Sequence, residues 1–192
     1  ISKVGGLEDV GFYNAGLAMV NTYVGMVFTA MATDYFPRLT SVFKIREERD
    51  AAINNQAIIA LLLVAPIVIL FISFSELFIR ILYTSEFLVI APMLYWSISG
   101  VIFKCISWSV SYTLLASGEG GLFLKHEAFA TCYNLAITLL FYYFFGLIGL
   151  GVAFFLVNAA YLSHMFYVAK RRFEIVIQKE IWRMFTVSFL LV

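Results

Sequence analysis

Between Glu127 and Lys170 the chain carries no Asp, Glu, Lys or Arg. Ala128–Ala169 is a 42-residue uncharged run dominated by Phe, Leu, Ala and Tyr. A bilayer core of about 30 Å is crossed by about 20 helical residues, so this run is too long for one span and too apolar for a solvated loop. Its interior holds Gly146-Leu-Ile-Gly149-Leu-Gly151, a glycine cluster of the kind that interrupts helical patterns. The spacing predicts a tight hairpin of two membrane helices, about 126–145 and 148–170.

Further runs extend the pattern. Val10–Thr33 is uncharged and is followed by Asp34 and Pro37, which is expected to end its helix. Ala57–Phe74 is uncharged and holds Pro66, where a kink is expected. Phe87–Gly118 carries one charge in 32 residues. As a single helix it would measure about 48 Å, so it is expected either to tilt or to place the turns before Pro92 in the interface. A sixth run starts near Trp182. The predicted helices are therefore about 10–34, 56–74, 88–117, 126–145, 148–170 and 181–192, the last truncated. With 62% hydrophobic and 13% charged residues, the composition stands far from the roughly 45–50% and 25% of soluble domains. The fold class read from it is all-α, a polytopic transmembrane bundle forming one domain over 1–192. Ile1 at the start, and an end inside Met184–Val192, mark the chain as part of a longer protein whose N-terminal half is expected as its partner.

Charge placement predicts sidedness. The connections after the first, third and fifth helices carry Arg38, Lys44, Arg46, Arg49, Lys125, Lys170, Arg171, Arg172, Lys179 and Arg183, against Lys3 and Arg80 on the other side. By the positive-inside rule the first group faces the cytoplasm. The segment Pro37–Gln56 reads as a long connection containing a short surface helix with internal charge pairs. The net charge of +1 gives no reason to expect a nucleic-acid partner.

The remaining basic residue is Lys104, near the middle of Phe87–Gly118. A charge at the centre of a spanning helix costs about 2.5–3.5 kcal/mol on insertion scales and marks a functional site by default. Ser97, Gly100, Lys104, Ser107 and Ser111 recur at helical spacing on one face. Similar stripes are Asn14, Ala18, Asn21 and Gly25 in the first helix, and Thr131, Asn134, Thr138 and Tyr142 in the fourth, with Asn158 and Tyr161 in the fifth. Such stripes serve either as helix–helix seams or as walls of a polar cavity. For the serines and glycines the seam is the weightier reading. For Lys104, which has no acid nearby on its own helix, it is the cavity. Asn, Ser and Tyr suit hydroxyl-rich ligands, and Lys suits phosphate.

Enzyme signatures are nearly absent. There is no phosphate-binding glycine loop, and Ser41-Val-Phe-Lys44 lacks the companion motifs of Ser-x-x-Lys enzymes. His126 and His164 stand far apart in sequence and read as isolated helix-end residues. Cys105 and Cys132 read as small buried hydrophobes. No metal site and no cofactor is expected, and the deepest acid is expected to be Asp34.

Gly5-Gly-Leu-Glu-Asp-Val-Gly-Phe-Tyr-Asn-Ala-Gly16, Ala32-Thr-Asp-Tyr-Phe-Pro-Arg-Leu-Thr40, Leu82-Tyr-Thr-Ser-Glu-Phe87 and Phe145-Gly-Leu-Ile-Gly-Leu-Gly151 together resemble the polysaccharide-export flippases of the O-antigen translocase type. That family lies in the multidrug/oligosaccharidyl-lipid/polysaccharide exporter superfamily. The resemblance implies one lobe of a two-lobe, MATE-like transporter fold working by alternating access in the bacterial inner membrane. It implies a polyprenyl-pyrophosphate-linked oligosaccharide as substrate and membrane lipids as surroundings. On that reading Lys104 attracts the pyrophosphate or an acidic sugar. Asn14, Asn21, Ser107 and Asn134 offer hydrogen bonds, and Arg38 collects the headgroup at the cytoplasmic mouth. The alternatives are a cation-coupled exporter of drugs or metabolites with the same fold and, less favoured, a membrane glycan polymerase or ligase.

Overall fold

The fold is taken from a computed structural model and described for residues 6–191. Among them are α1 (Gly6–Val42), α2 (Arg46–Ser73), α3 (Ser75–Leu82), a 3-10 turn (Ser85–Ile90), α4 (Ala91–Ala116), α5 (Gly120–Phe173) and α6 (Lys179–Leu190). No strand occurs among the described residues. Four segments, α1, α2, the 3-10 turn with α4, and α5, are long and apolar enough to cross a membrane. The chain is a multi-pass membrane protein with an all-α fold.

The break in α5 falls at Gly146, whose φ of 58° and ψ of −138° are non-helical. Only glycine reaches that combination without strain. The helix folds back there. Phe141 approaches Gly149, where an added Cβ would lie 2.0 Å from the Phe141 carbonyl oxygen, and Glu127 meets Tyr161. Residues 120–145 and 147–173 are thus two antiparallel limbs, each of roughly 26 residues and about 39 Å.

Helix α4 is central. It packs against α1, α2, α5 and α6, and Leu94, Ile98, Val101, Ile102, Ile106 and Leu114 are almost fully buried. Small residues around its circumference allow such close packing. A Cβ on Gly100 would sit 2.8 Å from the Phe155 Cα, and one on Gly151 2.3 Å from the Met93 carbonyl oxygen. These two glycines set the approach of α4 to the second limb of α5. Between α1 and α4, the buried Tyr35 hydroxyl donates to the Ser109 carbonyl at 2.7 Å.

Several sequence expectations change. Pro37 does not end α1, which continues to Val42. Burial of Tyr35 and Leu39, both 0% exposed, holds the helix through the backbone hydrogen bond that proline lacks. The charged part of Pro37–Gln56 is not a separate surface helix but the first turns of α2, which starts at Arg46 and buries Arg49, Ala52, Ile53 and Asn54. The run Phe87–Gly118 is divided by the 3-10 turn, and α4 begins at Ala91 with Pro92 in its first turn. The connection between α2 and α4 contains α3, which the sequence pattern does not predict. Cys105 is buried as expected, whereas Cys132 is exposed.

The ends of the bundle are polar and distinct. At one end the Arg46 guanidinium donates to Glu174 at 2.9 Å, and Arg49 to the Phe173 carbonyl at 3.0 Å. Arg172 pairs with Glu119 at 2.9 Å. The basic connections α1–α2, α4–α5 and α5–α6 therefore meet at one end. Asn54 holds the segment before α6 on both sides: its amide donates to the Val176 carbonyl (2.9 Å) and its oxygen accepts from the Gln178 N–H (2.8 Å). At the other end, the Tyr142 hydroxyl donates to Asp9 at 2.9 Å, and Phe12 packs edge-on against Phe87.

Candidate functional site

The polar stripes part company in three dimensions. On α4, Ser97, Ser107 and Ser111 are buried and donate to their own helix, to the carbonyls of Met93 (2.9 Å), Lys104 (3.4 Å) and Trp108 (2.9 Å). Gly100 is filled by Phe155. That face is a packing seam, and Lys104 alone leaves it for a cavity.

The cavity has a volume of about 280 Å³ and is walled by four elements. Tyr13, Leu17 and Asn21 come from α1 and Lys104 from α4. Asn134 and Thr138 come from the first limb of α5, and Leu150, Phe154, Val157 and Asn158 from the second. Asn21 and Asn134 are exposed, so the cavity opens on the bundle surface, whereas Lys104 is half-buried. The Lys104 ammonium lies 5.4 Å from the centroid of the Phe28 ring, within cation–π range. Among the described residues no carboxylate pairs with it. Thr138 donates to the Asn134 side-chain oxygen at 3.1 Å, and the Asn158 amide donates to the Phe154 carbonyl at 2.8 Å. The Asn134 amide and the Asn158 oxygen remain for a ligand. An ammonium, three carboxamides, a threonine and a tyrosine with no acid among them form a lining suited to an anion or a hydroxyl-rich molecule.

The sequence-derived site residues divide accordingly. Lys104, Asn21 and Asn134 share the cavity. Ser107 is 0% exposed and lies outside the lining, because a step of three along the helix turns it into the seam. Asn14 is exposed and also outside the lining, two turns from Asn21. Arg38 is seventeen residues from Asn21, about 25 Å along α1. There it donates to Gln56 at 3.1 Å and pairs with Asp34 at 3.8 Å. It belongs to the basic end, not to the cavity. Asn158 also lines the cavity, although the sequence pattern does not single it out as a substrate contact. Its stripe with Tyr161 was visible, but its facing Asn134 depends on the fold-back at Gly146.

The histidines are not isolated. Nδ1 of His126 and Nε2 of His164 stand 2.9 Å apart, joining the two limbs of α5. One helical step away, the Tyr161 hydroxyl donates to Glu127 at 2.5 Å. Glu127 is partly enclosed, whereas the Asp34 side chain is 82% exposed and pairs with Arg38. Among the described residues no group of three His, Cys, Asp or Glu is placed to hold a metal ion.

Comparison with known proteins adds one result. No curated protein and no solved structure matches the chain. A family model described as polysaccharide biosynthesis protein matches residues 1–92. The matched segment contains Tyr13, Leu17 and Asn21 of the cavity, while Lys104, Asn134 and Asn158 lie beyond it. Over residues 1–92, just under half of its 192 residues, the chain is similar to the polysaccharide biosynthesis protein family, as the sequence reading expected, and its all-helical membrane bundle is consistent with that family.

Proposed function

We propose that the protein is a flippase for lipid-linked oligosaccharides, working in the bacterial inner membrane with its basic end toward the cytoplasm. The observation that carries this reading is Lys104. A half-buried ammonium without a carboxylate partner stands in a cavity otherwise lined by Asn21, Asn134, Asn158, Thr138 and Tyr13. A charge so placed needs an anion or water. A pyrophosphate or an acidic sugar supplies the anion, and the carboxamides suit the hydroxyls of a glycan.

The protein's task on this reading is transport and not catalysis. No cofactor takes part. The partners are the lipid-linked substrate, membrane lipids and a second helical bundle facing the cavity mouth, as the two-lobe fold of the resembling flippases implies. The match to a polysaccharide biosynthesis family supports the glycan pathway, and the short outer connections speak against a polymerase or ligase. A cation-coupled drug or metabolite exporter of the same fold would call for an acid in the lining, and the cavity offers none.

The test is export of surface polysaccharide in cells carrying Lys104→Ala or Lys104→Arg at matched membrane levels. Loss in the Ala variant, with partial retention in Arg, is expected. Normal export in Lys104→Ala would end the assignment of Lys104 to the substrate.

A further inference from the structure

The two limbs of α5 form two of the walls of the cavity, and one side-chain cluster holds them together outside it. His126 and His164 face each other across the limbs at 2.9 Å. His126 lies eight residues before Asn134 and His164 six residues after Asn158, so the pair sits about 9–12 Å from these cavity residues, toward the basic end. His126 and His164 are each partly exposed, whereas the Nδ1 atom of His164 is buried and has no hydrogen-bond partner.

An imidazole–imidazole hydrogen bond needs one N–H and one lone pair. The neutral pair satisfies this. The pair with one added proton also satisfies it, because that proton occupies an outer nitrogen while the bridging N–H stays in place. A second added proton sets N–H against N–H and one positive charge against another, and the bond is lost. Protons from water supply each step, and no other co-reactant is involved.

The neighbouring groups carry charge to match one added proton at most. From the first limb, Glu127 supplies a carboxylate, and Tyr133 a buried hydroxyl without a partner. From the second limb, Tyr161 donates to Glu127. From α4 the neutral hydroxyl of Ser111 stands beside Tyr161. Lys125 is exposed, and the nearby ions Glu119 and Arg172 pair with each other at 2.9 Å. One imidazolium beside one carboxylate balances the charge, and two do not.

We propose that His126 and His164, with Glu127 and Tyr161, form a proton-binding site that latches the limbs of α5 until a second proton binds, and then lets them separate below the cavity. The proposal stands apart from the identity of the cargo, and its test uses no cargo.

The protein is placed in lipid nanodiscs with nitroxides at Leu124→Cys and Tyr167→Cys, two exposed positions on opposite limbs, in a Cys132→Ser background. Dipolar broadening is recorded between pH 8 and pH 5. Strong coupling at pH 8 that falls at least twofold by pH 5 is expected. It is expected to become independent of pH when His126→Gln and His164→Gln are combined. Unchanged broadening in the histidine-bearing protein, or a pH response that survives the double substitution, would overturn the proposal.

Discussion

Gly151→Ala tests the packing on which the cavity depends. The new methyl would lie 2.3 Å from the Met93 carbonyl oxygen, 2.9 Å from its Cα and 3.0 Å from its carbonyl carbon. All three are backbone atoms of α4, so no side-chain rotation relieves the clash. Reaching ordinary contact requires α4 and the second limb of α5 to move apart by about 1 Å. A gap of 0.5–1 Å forfeits a quarter to a half of each dispersion contact along a seam. Overpacking of this kind costs about 1–3 kcal/mol, and blocking by backbone puts Gly151→Ala near the upper end. The expected loss of about 3 kcal/mol corresponds to a fall in Tm on the order of 10 °C, read by circular dichroism in detergent. Gly25→Ala is the control. Nothing lies within 4 Å of its added Cβ, and a helical Gly→Ala change stabilises by about 0.5–1 kcal/mol. Equal melting temperatures for the two variants would refute the claim that α4 and α5 touch backbone to backbone at Gly151.

Other variants probe separate contacts. Lys104→Met removes the intramembrane charge and is expected to raise thermal stability by up to about 2–3 kcal/mol while abolishing polysaccharide export; an unstabilised variant would mean the ammonium is already compensated. Asn54→Ala deletes both bonds to the segment before α6. It is expected to cost about 2 kcal/mol and to speed limited proteolysis between Phe173 and Lys179, with unchanged cleavage as the contrary result. Tyr35→Phe removes the buried hydroxyl bound to Ser109, and denaturant melts should show a loss of about 1 kcal/mol. Gly146→Ala forces a side chain into a positive-φ conformation and is expected to destabilise the hairpin by about 1–3 kcal/mol, seen as reduced folded yield.

Local rules explain where sequence reading succeeded. Long uncharged runs cannot be solvated, so Ala128–Ala169 had to enter the membrane, and its glycines marked the fold-back that the backbone makes at Gly146. They failed where distant packing overrode a local preference. Pro37 is a helix breaker by itself, yet α1 passes through it because Tyr35 and Leu39 are buried on either side. The Lys-Ile-Arg-Glu-Glu-Arg-Asp segment looks like a solvated surface helix, yet Arg49 and Asn54 are buried by the chain that returns some 120 residues later.

The same division runs through the site. Period and hydropathy alone picked out Lys104, Asn21 and Asn134 as polar residues in apolar helices, because each is costly in lipid wherever its neighbours are. Whether a polar residue faces a seam or a cavity depends on which helix lies against it. That relation is absent from the order of residues along one helix, and it is why Ser107 went into the packing while Lys104 did not. His126 and His164, 38 residues apart, become a pair only because the chain folds at Gly146 and returns in register. The sequence by itself determined a membrane bundle with one misplaced charge. The tertiary structure alone decided what that charge faces and which side chains meet across the hairpin, because those follow from contacts between helices and not from any helix's own pattern.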